Sequence, residues 1–585
     1  MSYWLLATVC AGPFLFGCVE PWSSGLLQAS VFLLACVLIL ARPFRWSAVP
    51  PLAWGCLLVA ALAAVQSRHP AHAVGAATTP VTSSGWASAE AARLWVMYAC
   101  LSWVTATLAQ SRRRSRRVAW SLFVLGSVVA VIGIIQKGSG AETFYGIRPI
   151  PDGFIPFGPY YYKNHAGSLM IMTFAIGLGA VWARYAGYHG SRRVGAMATF
   201  WMTQAFLIAL LAIQGVAIWM CQSRGAIHSL AIAGVAVGAL ASIGFASRRV
   251  RTRWFVTLLV LIAGYVALAV AFPRLADIVE EGGRTTGSFE TRVRIWKASW
   301  VMIRERPVWG YGMGAFEYAF APYQGTLLGD LTAPVDHAHS EWVEILLGGG
   351  AVAAGLIAIA LLVQVVWSLR AWWAWTEPAV QPLLGGAFAA FLTFPIHGSA
   401  EFNLSSPANV AVLLTAAGMV FRPAPRGAAT KLEARPQHFA GWPGRAGLLA
   451  LAVWGCWSTT HQLGGWWCAH QAVGSDLPAR SAWYERALTW VPGHPGYERE
   501  LGVALLWLGD ENPVARRLLA RQALMAAARG LKVTPDHAGL AEVAGVALCW
   551  TGREKEGRQF LAAAEALRPW RRARRPWVRT IRRGP

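Results

Sequence analysis

The chain has 585 residues, of which 56% are hydrophobic and only 14% are charged. A soluble domain carries about 25% charged residues, so this composition excludes an ordinary water-soluble enzyme and indicates that lipid covers much of the apolar surface. The formal net charge is +24, a value that would also suit a nucleic-acid-binding protein. The basic residues cluster between apolar runs, however, as they do in cytoplasmic loops of membrane proteins. We therefore expect no nucleic-acid partner.

Apolar runs of about 20 residues are long enough to cross a bilayer as helices. The sequence predicts an all-α polytopic membrane protein with about 12–13 transmembrane helices. Residues 1–19 lack a basic n-region and a cleavage site, and we interpret them as a first span rather than a signal peptide. The predicted spans lie at roughly 3–19, 25–41, 50–66, 91–110, 117–136, 165–186, 201–221, 225–246, 254–272, 342–368, 382–398, 405–421 and 446–465.

The positions of arginine predict the orientation of these spans. The connections that follow even-numbered spans are basic, as in the run 112–117, whereas the short odd-numbered connections carry few charges. Because basic loops stay in the cytoplasm, the N-terminus is predicted to be cytoplasmic and the odd connections external. The long connection 273–341 and the segment after residue 465 then lie on the outer side.

The connection 273–341 holds most of the side chains that could do chemistry. Apolar residues recur at helical spacing over 291–304, which predicts an amphipathic helix on the membrane surface. The proline and alternating glycines of 307–314 predict the end of that helix and a flexible turn. His337 and His339 follow at the mouth of the tenth predicted span.

Three basic residues on the predicted outer side, namely Arg224, His337 and His339, have two interpretations each. Arg224 lies in a very short outer connection, where an ionisable residue at membrane depth tends to be functional, or where it simply snorkels to the lipid headgroups. His337 and His339 are either structural or two ligands of a metal site for which no further ligand cluster is evident. The nine cysteines form no CxxC pair, so we predict no metal or redox cofactor.

The C-terminal part is predicted to leave the membrane. Over 478–570 apolar residues recur at helical spacing, and Pro535 and Pro569 are 34 residues apart, the period of a tetratricopeptide repeat. We expect about two helical hairpins, which either bind a protein partner or cap the transmembrane domain of residues 1–465. The basic end, 571–585, suits anionic lipid headgroups.

One stretch of the outer connection resembles a known family. Residues 284–355 resemble the O-antigen ligase and polymerase superfamily of bacterial inner-membrane proteins. In the ligases a histidine is followed by Asn, Ser or Gln, then nine residues and Gly-x-x-Gly. Here the pattern reads His339, Ser340, nine residues and Gly350, with Ala353 in the last glycine position.

Further fragments extend this resemblance over about residues 90–421, and 284–421 is the most family-like part. An arginine before the loop tryptophan matches Arg292, and an outer-face arginine matches Arg224. The remaining similar fragments are PVWGYGMGAF at 307–316, YKNHAG at 162–167 and HGSAEFNLSSPAN at 397–409, where Asp is commoner than Glu401.

The resemblance implies transfer of a glycan from undecaprenyl diphosphate to an acceptor hydroxyl on the periplasmic face. It implies that His339 acts as the general base and that Arg292 and Arg224 bind the diphosphate, with Arg294 as a further candidate. No metal and no nucleotide cofactor are needed, and no phosphate-loop or dinucleotide fingerprint occurs. The residues that the resemblance assigns to substrate binding are His337, Ser340, Asn164, His165, His397 and Glu401.

Several functions remain open from the sequence. Within the enzyme class, the acceptor is lipid A core for a ligase, a second glycan for a polymerase, or a protein for an O-oligosaccharyltransferase. A transporter would use the outer arginines to bind an anion, although the sequence has no clear paired halves. A membrane-anchored scaffold would instead act through its C-terminal helices.

Overall fold

The structure, a computed structural model, describes residues 1–42, 44, 46–75, 77–151, 154–188, 194–244, 289–329, 334–375, 377, 379–421 and 442–568. This part contains nineteen α-helices and one small antiparallel sheet, in which β1 (Thr143–Phe144) pairs with β2 (Arg148–Pro149). The expected all-α polytopic membrane protein is confirmed. Six of the helices are long and apolar enough to cross a membrane: Pro21–Ala41, Gly85–Leu108, Arg112–Ser139, Lys163–Ala186, Val194–Met220 and Glu341–Ala374.

Every predicted span within the described residues overlaps a helix, and the ninth, 254–272, lies outside them. The first helix is shorter than predicted because the chain turns at Gly17, which has a φ of 69°. The helices that precede the C-terminal part are α1 (Ser2–Phe14), α2 (Pro21–Ala41), α3 (Pro51–Gln66), α4 (Gly85–Leu108), α5 (Arg112–Ser139), α6 (Lys163–Ala186), α7 (Val194–Met220), α8 (Arg224–Gly244), α9 (Phe289–Glu305), α10 (Phe316–Leu327), α11 (Glu341–Ala374), α12 (Gln381–His397), α13 (Pro407–Val420) and α14 (Trp442–Ala472).

The contacts divide the chain into two units. Unit 1 comprises residues 1–54, 97–286 and 359–453, and unit 2 comprises residues 55–96, 287–358 and 454–585. Each unit therefore combines segments that are far apart in the sequence.

Unit 1 is a bundle of apolar helices that approach closely at glycines. A Cβ atom on Gly179 of α6 would lie 2.9 Å from the Cα of Gly386 of α12, so small residues are required where these two helices meet. Some buried polar side chains of unit 1 are paired with one another. The amide nitrogen of Gln214 donates to Ser127 Oγ at 2.9 Å, and its oxygen accepts from Thr173 Oγ1 at 3.2 Å.

Unit 2 is organised around a break in α11. Gly350 has a φ of 61° and a ψ of −161°, a backbone conformation open to glycine and almost nothing else. The groups that the break releases pair with the segment 307–312. Tyr311 N and Gly312 N donate to the carbonyls of residues 347 and 348 at 2.7 and 2.8 Å, and Ala351 N donates to Pro307 O at 2.8 Å. An interrupted helix is tolerated at membrane depth when other protein groups satisfy its backbone.

The side chain of Gln66, at the end of α3, stabilises this break through three hydrogen bonds to the backbone. Its amide nitrogen donates to Trp309 O at 2.8 Å and to Gly348 O at 3.1 Å, and its oxygen accepts from Met313 N at 3.0 Å. The predicted flexible turn at 307–314 is therefore held in place. Its glycines instead serve positive φ angles and close backbone contacts, because a Cβ on Gly310 would lie 2.4 Å from Leu347 O.

Five further helices form the C-terminal part of unit 2, here called the tail: α15 (Leu477–Trp490), α16 (Pro495–Glu511), α17 (Arg516–Val533), α18 (Ala538–Trp550) and α19 (Glu554–Ala566). Each helix packs against the next one in sequence. Small residues such as Ala523, Ala527 and Ala547 fill the shared core together with Leu501 and Leu540.

The tail contacts the loop 67–84 that follows α3. The carboxylate of Asp536 accepts from Ala73 N at 2.6 Å and lies 2.8 Å from His72 Nδ1. Ser84 Oγ and Thr534 Oγ1 are 2.9 Å apart. These contacts make the tail a packed element of unit 2, as the cap interpretation expects.

Candidate functional site

The amphipathic helix predicted over 291–304 is present as α9. Its inward face buries Ile295, Ala298 and Met302, whereas Lys297 and Trp300 are exposed on the opposite face. The buried residues recur at the helical period, but Trp300, one of the apolar residues whose spacing predicted this helix, lies on the exposed face. The helix therefore offers a fixed support for the polar residues of its first turns.

The segment between α10 and α11 is held by hydrogen bonds to side chains of both α9 and α11. Trp296 of α9 donates its indole N–H to Ala338 O at 2.8 Å. Glu344, in the first turn of α11, accepts from Ala338 N at 2.9 Å, and its same oxygen lies 3.0 Å from His337 Nδ1. Both backbone groups of Ala338 are thus satisfied, and the histidines on either side are held in one geometry.

His339 occupies an unusual backbone conformation next to a cation. Its φ is 51°, a left-handed value that a non-glycine residue adopts only where its surroundings enforce it. Burial lowers the pKa of His339 to about 3, and the positive charge of Arg292 adds to the effect, as does His337. The imidazole is therefore neutral at physiological pH.

His337 has the opposite charge tendency. Burial by itself lowers the pKa of His337, but the carboxylates of Glu344, Asp336 and Glu317 together raise the pKa above its ordinary value. The two histidines therefore differ. His337 is favoured as a cation paired with Glu344, and His339 is favoured as a neutral base.

Two of the three arginines of α9, Arg292 and Arg294, lie on different sides of the helix. Residues two positions apart on an α-helix do not share a face, so Arg294 does not lie on the same side of α9 as Arg292. Ser340 is buried and directly precedes α11.

Two residues near this site were not predicted from the sequence. Glu344 is one, and a carboxylate at the start of an otherwise apolar span is a signal that could have indicated it. The other is Arg306, whose side chain is only 3% exposed. Its guanidinium donates to the carbonyls of Gly75, His72 and Ala73 at 2.9, 2.8 and 2.9 Å.

The carboxylate next to Arg306 also forms hydrogen bonds at the C-terminal end of α9. Glu305 accepts from the hydroxyls of Tyr311 and Tyr323 at 3.1 and 2.6 Å. Together, Glu305 and Arg306 join α9 to the glycine segment, to α10 and to the loop that Asp536 holds.

The other predicted residues belong to unit 1, where they gather at the starts of α6 and α8. Asn164 donates to Glu401 Oε1 at 2.6 Å. The buried ring of His165 lies against Phe402, with 4.9 Å between ring centroids, and its carbonyl accepts from Asn409 at 2.9 Å. The fragments 162–167 and 397–409, distant in sequence, are thus neighbours.

Arg224 joins the same cluster through its neighbour. A Cβ on Gly225 would lie 3.1 Å from Nε2 of His397, so the start of α8 packs directly on that buried ring. His397 Nδ1 lies 3.2 Å from the amide nitrogen of Asn403. The guanidinium of Arg224 itself is exposed.

Metal ligation has no support in the part of the chain that the structure describes, where no group of three or more His, Cys, Asp or Glu residues could hold an ion.

One family comparison bears on these residues. Residues 206–358 match a family model described as O-Antigen ligase. This interval contains Arg224, Arg292, His337 and His339. It ends in α11, beyond the break at Gly350. A search of curated proteins finds no match to the chain.

Proposed function

We propose, from the premise that the chain carries an O-antigen ligase domain over residues 206–358, that it moves an oligo- or polysaccharide from undecaprenyl diphosphate to an acceptor hydroxyl. The protein is a multi-pass membrane protein, and the family match supports a glycan transferase. The observation that carries the proposal is a histidine whose pKa is lowered by burial and by the charge of Arg292, next to Ala338, whose two backbone groups are hydrogen-bonded.

In the proposed reaction His339 accepts the proton of the acceptor hydroxyl. The acceptor oxygen forms a bond to the anomeric carbon of the donor sugar, and the bond from that carbon to the diphosphate oxygen breaks. The electron pair of the broken bond leaves with the lipid diphosphate. A neutral imidazole is required for the first step, and in the free protein the lowered pKa of His339 keeps the ring neutral. A bound diphosphate would offset the charge of Arg292 and raise this pKa toward the working pH, where a base is most efficient.

Arg292 is proposed to bind the departing diphosphate. A guanidinium stays charged and can make paired hydrogen bonds to phosphate oxygens, so it stabilises the negative charge that grows as the bond breaks. We propose Arg224 as a second group for the same diphosphate. The proposed substrate-binding residues are Arg294, His337, Ser340, Asn164, His165, His397 and Glu401.

The proposed location is the bacterial inner membrane, with a cytoplasmic N-terminus and a periplasmic tail. The arginine-rich even connections support this orientation. The loop 67–84, the segment 289–341 and the tail are all predicted to be external, and their mutual contacts within unit 2 support a common side. The proposed acceptors are lipid A core for ligation, or a glycan or protein for the alternative transfers.

The test is transfer in vitro from a purified lipid-linked donor. His339→Asn keeps a residue that tolerates a positive φ but removes the base, and it should lower transfer by roughly 10²–10⁴-fold. Arg292→Lys should also lose most activity because lysine cannot form the paired contact. Arg304→Lys, on the exposed face of the same helix, is the matched control. Near-normal transfer by a folded His339→Asn protein would remove the proposed base.

A further inference from the structure

Two lysines that no earlier argument used flank the end of α7 in unit 1. Lys137, near the end of α5, donates from Nζ to Met220 O at 2.8 Å. Lys163, the first residue of α6, accepts at its carbonyl from Cys221 Sγ at 2.8 Å. Residues 220 and 221 immediately precede the turn that leads to Arg224. The side chain of Lys137 and the backbone of Lys163 therefore contact the same short turn, which leads to Arg224.

The surroundings of these two lysines favour a bound anion. Both lysines contact the same turn, Lys137 through Nζ at Met220 O and Lys163 through its carbonyl at Cys221 Sγ. Among the residues that the structure describes, neither lysine forms an ion pair. Like charges at short range disfavour each other, so an anion between them would relieve an unfavourable interaction. Lys137 is exposed and Lys163 is half-buried, which leaves both accessible to a ligand.

A buried hydroxyl in the same turn supports a polar ligand. The side chain of Ser223 is only 2% exposed, and within the described chain its Oγ has no hydrogen-bond partner. Buried hydroxyls normally have one. A Cβ on Gly167 would lie 3.0 Å from Ser223 Cβ, so the first turn of α6 packs directly on the start of α8. The positive ends of two helix dipoles thus lie side by side.

We propose that Lys137 and Lys163, with the turn 220–224, form a binding site for a phosphate-bearing group, namely the diphosphate of the lipid-linked donor. This inference rests on the proposed function and assigns residues that the family pattern does not. A lysine ammonium attracts phosphate as a point charge without fixed geometry. The two lysines therefore bind the donor before and during the reaction, whereas His339 acts only in the chemical step.

The experiment uses the full chain in nanodiscs and measures kcat and KM for the lipid-linked donor. Lys137→Gln and Lys163→Gln should each raise KM about tenfold with kcat within about twofold, because uniform binding is lost. Inorganic pyrophosphate, used as a competitive inhibitor, should lose affinity in the same ratio. Lys137→Arg and Lys163→Arg keep the charge and should retain near-normal KM. Lys555→Gln, an exposed lysine of the tail, is the control.

Three outcomes would overturn the assignment. One is an unchanged KM and pyrophosphate affinity in well-folded Gln variants. A second is an equal defect in the Arg variants, which would indicate that the Nζ contact to Met220 is only structural. The third is a defect that appears in phosphatidylglycerol nanodiscs and vanishes in phosphatidylcholine, which would identify a membrane headgroup as the ligand. Failure of the proposed function is separate, because it requires transfer by His339→Asn to persist.

Discussion

An imidazole that is protonated on both ring nitrogens cannot accept a proton, so the charge of His339 before the reaction decides whether it can act as the base. Burial and the nearby Arg292 keep this imidazole neutral, while carboxylates favour a proton on His337 two residues away. Pairs of titratable groups whose surroundings separate their pKa values are typical of acid–base sites. The opposite tendencies of these two histidines support the proposal that His339 is the base.

The pH dependence of transfer tests this assignment. Because the pKa of His339 is about 3 in the free protein, it stays neutral as the pH falls from 8 to 5. We expect kcat/KM for the donor to show no acid limb near pH 6.5, where an ordinary histidine would produce one. In Arg292→Gln the residual activity should show an acid limb at higher pH than wild type, since a charge that lowers the pKa is gone. An unperturbed limb near 6.5 in wild type would contradict the prediction.

For single residues, the sequence indicates the candidate site residues better than it indicates the hydrogen bonds that position them. The motif spacing identifies His339 and Ser340, and the arginine before the loop tryptophan identifies Arg292. The contacts that fix Ala338 could not be predicted, because Trp296 lies 42 residues away and Glu344 accepts from a backbone N–H. Such contacts depend on how α9 and α11 approach, which residue types alone do not specify.

Among the elements, α11 differs most from a plain membrane span. Its break exchanges backbone hydrogen bonds with the segment 307–312, so each element completes the other. The sequence predicted a span at 342–368 and a glycine-rich turn, but it did not reveal that the two pair. Apolar periodicity is the same for a straight helix and for one interrupted by a single glycine.

Two glycines of α11 provide a matched test of the break. In Gly350→Ala the new Cβ would lie 2.2 Å from Val308 O at a φ of 61°, and we expect a loss of stability above about 2 kcal/mol. In Gly355→Ala the Cβ meets nothing within 4 Å, so stability should be unchanged or rise by up to about 1 kcal/mol. Thermal unfolding in detergent measures both. Equal melting temperatures for the two variants would contradict the proposed role of the break.

For the whole molecule, the tail is joined to the site by a continuous set of contacts. Asp536 holds the loop at Ala73, the carbonyls of that loop accept from Arg306, and Arg306 follows the last residue of α9, which carries Arg292. Helical periodicity predicted that the tail is helical, and the structure has five helices where about two hairpins were expected. The contacts of the tail with residues 72–84 could not be predicted from the sequence. They join the turn that carries Thr534 and Asp536 to a short loop, and neither segment has a periodic sequence pattern.

Removal of the Asp536 carboxylate tests this connection. Asp536→Ala leaves Ala73 N without its acceptor, which should cost about 1.5–3 kcal/mol of stability and reduce transfer several-fold by loosening α9. If the loss acts through Arg292, it should largely disappear in an Arg292→Lys background, since coupled residues are non-additive. Asp510→Ala, which removes only a 3.7 Å surface pairing in the same tail, is the control. Fully additive losses would indicate general destabilisation instead.

The bond between His72 and Asp536 joins positions 464 residues apart, and this separation constrains biogenesis. A ribosome delivers the early loop long before Asp536 is made, so the loop waits without this partner during most of the intervening synthesis. A chain that stops before Asp536 would lack this support of the helix that carries Arg292, and we expect it to be inactive in the proposed transfer and open to proteolysis.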